Sequence, residues 1–222
     1  MRHFLGITLF ILVFGLSSVV NVQQLKAMKK EISLPAPKLK GKISLEQAIA
    51  ERRSKRRFSS QELRLEQIAQ LLWSAQGITD SQRAFRAAPS AGALYPMEIY
   101  LLSKDGLFHY LPQEHKLEQV LQNDLRRELA VAALGQSFIA AAPVAIIIAA
   151  VYERVTSRYG SRGKCYTDIE VGHIAQNIHL QAVALGLGSV PVGAFDDQAL
   201  KQLLNLPDDE QPLYIIPVGY VK

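Results

Sequence analysis

Five cations and a hydroxyl stand in a row at Arg52-Arg53-Ser54-Lys55-Arg56-Arg57, directly after an expected helix. Chain leaving a helix tends to be extended, which puts Arg52, Ser54 and Arg56 on one face. Two guanidinium forks and a hydroxyl on one side suit a phosphate dianion, whose oxygens accept several charge-assisted hydrogen bonds together. A solvated or lipid-facing basic patch has the same composition, and the run alone does not choose between the two. Further on, Ala88-Pro89-Ser90-Ala91-Gly92-Ala93-Leu94-Tyr95-Pro96 sets small residues between two prolines ahead of an expected strand. Small side chains and fixed φ values let backbone approach a flat ligand, although a plain connecting loop reads the same way. A third segment, Gly186-Leu187-Gly188-Ser189-Val190-Pro191-Val192-Gly193-Ala194-Phe195, offers backbone N–H groups to a ligand ring. It lacks the spacing and strand-first context of a dinucleotide fingerprint, which rejects a Rossmann reading.

Other residues carry less. Cys165 with His173 lacks an oxyanion loop and a third partner, so it reads as an inert thiol and not as a nucleophile. A single cysteine forms no intramolecular disulfide and builds no thiolate metal cluster. His173 and His179 are six apart on an expected helix, do not share a face, and make a poor metal pair. Each reads as a packed or interfacial histidine. Tyr95, Tyr159 and Tyr166 are candidates to stack on a ring, or else half-buried structural tyrosines.

The elements that position these segments follow from pattern. Ser44 and Gln47 have capping-box spacing, and Leu45, Ala48 and Ile49 continue at helical spacing toward Arg52. A second helix runs from Leu65 to Ala75, with Gly77 expected as a left-handed cap. Glu98 to Ser103 and Leu107 to Leu111 read as a hairpin closed by Asp105-Gly106. Leu121 to Gly135 is helix-prone, and Pro143 to Val151 is a strand buried on both faces. A long helix from Thr167 to Leu185 keeps little polar face, which makes it central or interfacial. Asp197 caps a short helix to Leu204, and Pro212 to Tyr220 is a last buried strand. Strands and helices without regular alternation indicate α+β and argue against a doubly wound sheet.

The 222 residues, 49% hydrophobic, suffice for one core. The formal charge of +5 gathers at 26–42 and 52–57 and not as a stripe over a folded face, so no nucleic-acid partner is expected. Residues 1–22 hold an apolar run, Phe4 to Val20, with the length of a signal-peptide core or a short membrane anchor. Lysines just beyond it favour an uncleaved anchor with the domain on the cytoplasmic side; a cleaved signal and an exported product is the alternative. Residues 23–42 read as a basic, proline-containing linker, and 43–222 as the domain.

Taken in order, Arg-Arg-Ser-x-Arg at 52–56, the Pro-Ser loop at 89–90 and Val-Pro-Val-Gly at 190–193 resemble the nitroreductase family of flavin mononucleotide (FMN) enzymes. Ser-Ala-Gly-Ala-Leu-Tyr-Pro at 90–96, Glu170-x-Gly172-His173 with Gln176-Asn177, and Pro217-Val218-Gly219-Tyr220 resemble the SagB-type branch, which includes oxidases that turn azolines into azoles in modified peptides. The resemblance implies a nitroreductase-like α+β fold with a central, mostly antiparallel sheet, and a domain-entwined homodimer with FMN at the subunit interface. By position it implies that Arg52, Arg53, Ser54 and Arg56 hold the phosphate and ribityl end, and that Ser90, Ala91 and Gly92 line the ring. Pro191, Val192, Gly193 and Ala194 would give backbone contacts near the reactive nitrogen. Two departures stand out: Ala93 replaces an asparagine common in that loop, and Lys222 stands in for a longer basic tail. The implied activity is hydride transfer from NAD(P)H through FMN to a small-molecule or peptide acceptor. An azoline-type peptide oxidase is the alternative, with Lys164 and Tyr166 as weak candidates for its base. A flavin-free, membrane-tethered scaffold is a second alternative.

Overall fold

Strand β7 (Val144–Ala150), read from sequence as buried on both faces, is the centre of the molecule, with all seven residues buried. The computed structural model describes residues 30–222. The sheet around β7 also holds β1 (Glu31–Ser33), β4 (Met97–Ser103), β5 (Gly106–Leu111), β6 (Lys116–Leu121), β8 (Gly188–Ser189) and β9 (Gln211–Gly219). Its order is β1-β6-β5-β4-β7-β9-β8, every neighbouring pair antiparallel. Alternation along β7 divides the core. Val144, Ile146, Ile148 and Ala150 pack toward α2 (Leu65–Gln76) and α6 (Arg162–Ala184). Ala145, Ile147 and Ala149 pack toward α3 (Arg126–Ala132), α4 (Phe138–Ala141) and α7 (Asp197–Leu203). The remaining elements are α1 (Leu45–Glu51), α5 (Glu153–Tyr159) and a small ribbon of β2 (Ile78–Asp80) with β3 (Phe85–Arg86). The result is an α+β fold: an antiparallel sheet flanked by helices.

Several expectations shift. The hairpin turn is Lys104-Asp105, because Ser103 pairs with Gly106, so glycine opens β5 instead of closing the turn. Gly106 has φ +118°, and a Cβ there would lie 2.1 Å from the Leu121 carbonyl oxygen. Gly77 ends α2 in an extended conformation, φ −64°, and not as a left-handed cap. At α1 half of the capping box forms: the Gln47 N–H donates to Ser44 Oγ, while the Gln47 side chain turns forward to Glu51. The stretch read as linker reaches into the fold, since β1 pairs with β6 and Leu34 is buried. The long helix starts at Arg162. The apolar run 4–20 lies outside the described residues; among those, no helix is long and apolar enough to cross a membrane.

Candidate active site

The basic segment leaves α1 and runs between β8 and the chain's last residues. Ser54 bridges Ser189, the Lys55 N–H donates to the Ser189 carbonyl at 3.0 Å, and the Lys222 N–H donates to the Arg57 carbonyl at 3.0 Å. Arg53 folds back, its Nη1 donating to the carbonyls of Ala50 (3.0 Å) and Arg52 (2.7 Å), so that it closes the end of α1. Arg52 points inward to α6, with Nη1 3.3 Å from His179 Nε2, and His179 Nδ1 lies 2.6 Å from Ser189 Oγ. A guanidinium only donates, so Nε2 must accept and Nδ1 carries the proton that His179 gives to Ser189. Burial, together with the neighbouring Arg52 charge, pulls the imidazole down to about 4, so the ring is neutral at physiological pH.

The side chains of Ser54, Lys55, Arg57 and Lys222 have no hydrogen-bond or ion-pair partner among the described residues, and Arg56 only lies over the Phe138 ring at 5.7 Å. Among the described residues no carboxylate answers this run of cations, an arrangement whose chemistry suits an anion.

The Pro-Ser loop lies elsewhere on α6. Ser90 Oγ accepts the Tyr95 N–H at 2.9 Å, and the Arg86 N–H donates to the Tyr95 hydroxyl at 3.1 Å. The Arg86 guanidinium lies over the Tyr95 ring at 4.6 Å, and Arg154 Nη1 donates to the Tyr95 carbonyl at 3.2 Å. These ties hold a strained backbone: Gly92 (φ 61°), Ala93 (φ 54°) and Tyr95 (φ 47°) are all left-handed. At φ 61° any side chain on Gly92 would strain the backbone, and its Cβ would also press on the Tyr159 hydroxyl at 2.7 Å and Arg158 Nη1 at 3.0 Å. Beneath the loop sits Glu170, nine residues before His179, or about 13 Å along the helix axis.

The third segment borders a cleft of about 700 Å³ through Gly193 and Phe195. Val192 pairs with Ile215, and the Ala194 carbonyl accepts Gln136 Nε2 at 2.9 Å. Pro191 is half-buried. Lys164 shares this cleft, with Nζ 5.8 Å above the Tyr152 ring, while Tyr166 stands edge-on to Tyr159 at 5.4 Å. Cys165 is a free thiol, and no metal-binding cluster exists among the described residues. One chain thus brings Arg52, Ser54 and the Lys222 backbone together around His179 and β8, and sets Ser90 over Glu170 on another face of α6. Sequence reasoning read His179 only as a packed or interfacial histidine and missed that it links Arg52 to Ser189; it named Glu170 in a motif without placing it, with Arg86, beneath the loop. The only signal for His179 was its place on an apolar helix.

The family model for the nitroreductase family matches residues 49–220. The chain belongs to the nitroreductase family. Among its relatives is a candidate nitroreductase of Methanocaldococcus jannaschii, 45% identical over 85% of this chain and 96% of that one. A candidate nitroreductase structure from Ralstonia eutropha superposes with a TM-score of 0.79 at 29% identity, covering 86% of this chain and 90% of that one. The microcin B17-processing protein McbC of Escherichia coli is 28% identical over 65% of this chain and 57% of its own length. This nitroreductase-family chain therefore sets its cation run against His179 and its Pro-Ser loop over Glu170 of the same helix.

Proposed function

We propose that the protein is an FMN-dependent oxidoreductase that takes hydride from NAD(P)H and passes it through FMN to a small-molecule or peptide acceptor, working as a homodimer. The observation that carries this reading is the unanswered cation cluster at 52–57, pinned to β8 and to His179. The residues fit the cofactor. Arg52, Ser54, Arg56 and the Lys222 side chain would hold the phosphate by charge-assisted hydrogen bonds. Ser90, Ala91 and Gly92 would present a loop of small side chains to a flat ring, and Gly193 borders a cleft of about 700 Å³. Bound FMN would supply reversible hydride acceptance, chemistry that no side chain here offers. The chain's part is to bind, orient and stabilise negative charge with fixed donors. Arg53, turned onto the α1 carbonyls, shapes the segment and is not assigned a phosphate contact.

The test is the visible spectrum of the purified full-length chain and its response to NADH or NADPH without oxygen. A flavin spectrum that bleaches is the expected result. The resemblance to McbC favours a second reading, an azoline-type peptide oxidase, with Lys164 beside the cleft as its base; bound flavin that ignores both nicotinamides would favour it. A colourless protein from flavin-replete cells would overturn both. In the Arg52→Ala, Arg56→Ala double variant, flavin content should fall to near zero with the fold intact; unchanged occupancy would defeat the phosphate assignment.

A further inference from the structure

Glu170 is a carboxyl only 2% exposed, in the middle of α6 and directly beneath the Pro-Ser loop. Its Oε1 accepts Gln76 Nε2 at 3.3 Å, from the last residue of α2. Three buried polar atoms around it have no partner: Glu170 Oε2, Gln76 Oε1 and Arg86 Nε. The Ser90 hydroxyl lies near enough to favour the ionised carboxyl, yet it closes no hydrogen bond on it. Two of the orphans are acceptors on side chains already joined by one hydrogen bond. A carboxylate cannot resolve that, because it only accepts. A proton on Oε2 can: the neutral acid returns a hydrogen bond to Gln76 Oε1, and both orphans are satisfied.

We propose that Glu170 is a positioning residue that, as a neutral acid paired reciprocally with Gln76, holds the Pro-Ser loop closed on α6, and that its ionisation releases the loop. The charged groups facing it are few. Arg86 on β3 opposes the neutral form, but its guanidinium is also drawn to Glu98 on β4, which Arg154 of α5 holds at 2.5 Å. The loop adds Tyr95 beside Arg86, and α2 presents only the uncharged Gln76. Burial outweighs these attractions and raises the carboxyl to about 7. Once the loop lifts, the carboxylate regains water and its ordinary acidity, so rising pH drives opening. Gln76 also anchors the start of the excursion that ends in the loop, since the Gly77 carbonyl accepts the Ala87 N–H at 2.9 Å.

The consequence for cofactor rests on the FMN reading above; the loop motion does not. Hydrogen–deuterium exchange of the 87–96 peptide in FMN-free full-length chain, corrected for intrinsic rates, is therefore the primary measurement. In wild type, exchange should rise by on the order of tenfold between about pH 6.5 and 8.5. Glu170→Gln reproduces the reciprocal pair as two amides and should stay protected across that range. Glu170→Ala should exchange fast throughout; if it fails to fold, wild type against Glu170→Gln still decides. A wild-type response that is flat, or one that persists in Glu170→Gln, overturns the proposal. FMN affinity, read by quenching of its fluorescence, should weaken several-fold over the same range in wild type and stay constant in Glu170→Gln. A chain that binds no FMN at any pH would count against the flavin reading, with the exchange result still judging Glu170.

Discussion

At the scale of single residues, two buried titratable groups on α6 pull the stability curve in opposite directions. His179 has its folded pKa lowered to about 4, so the unfolded chain binds the proton first. Its contribution is whole above the ordinary value near 6.5 and is lost as pH falls through 4. Glu170 is raised from 4.5 to about 7, so its contribution is whole below 4.5 and is lost as pH rises through 7. Each effect has a ceiling of about 3 kcal/mol. Between about pH 4.5 and 6.5 the two slopes oppose each other and largely cancel. Thermal melts across that window should therefore be nearly level for these groups in wild type, tilt toward instability at acid pH in Glu170→Gln, and tilt the other way in His179→Gln. Parallel pH profiles for wild type and both variants would show that neither group titrates as its burial demands. A further variant, His179→Leu, has a second expected effect. With no acceptor on that side chain, Arg52 loses its inward tie, and FMN affinity should weaken about tenfold, the loss of a hydrogen bond to a charged group.

At the scale of elements, the hairpin of β4 and β5 shows how one backbone position fixes register. Gly106 combines φ +118° with an approach to the Leu121 carbonyl that leaves no room for a Cβ. Gly106→Ala should cost more than about 1 kcal/mol in urea unfolding, and a neutral result would mean that the turn relaxes freely. The elements legible in the sequence were those whose apolar pattern is self-sufficient. The VAIIIAA of β7 has no polar face to offer water, and α2 repeats its apolar residues at helical spacing. Those missed depend on distant partners. The KLEQVL of β6 is charged and helix-prone, and becomes a strand because β5 on one side and β1 on the other pair with it. The first turn of α6 is polar at Arg162 and Lys164, so periodicity placed its start too late. The site divides in the same way. The cation run and the Pro-Ser loop announce themselves by residue type, whereas Arg52 meets His179 across 127 positions of sequence, a distance that no local pattern records.

At the scale of the whole molecule, the arrangement along α6 argues for two copies. The cation cluster meets α6 at His179, whereas the Pro-Ser segment meets it along Glu170 and Asn177, which, seven residues apart, share a face turned away from His179, so the proposed phosphate end and ring end of one chain do not converge. A second chain can bring its own loop to the first chain's cluster. The contact we propose for it is on α1, where Leu45 and Ile49 are 62% and 53% exposed and, four residues apart, share a face. Leu45 also borders a groove of about 340 Å³ with Leu180 and Ala184 of α6, apolar positions that left the helix little polar face in sequence. Exposed aliphatic residues in a continuous strip are costly in water and favour burial against a like surface. The Leu45→Glu, Ile49→Glu double variant should therefore elute as a monomer by light scattering, keep its far-ultraviolet circular dichroism, and lose bound FMN although every cofactor residue named above is intact. A variant that remains dimeric with full flavin content would move the interface off α1. One that becomes monomeric yet keeps its flavin would mean that the phosphate end and ring end of a single chain are sufficient, and the argument from their separation would fail.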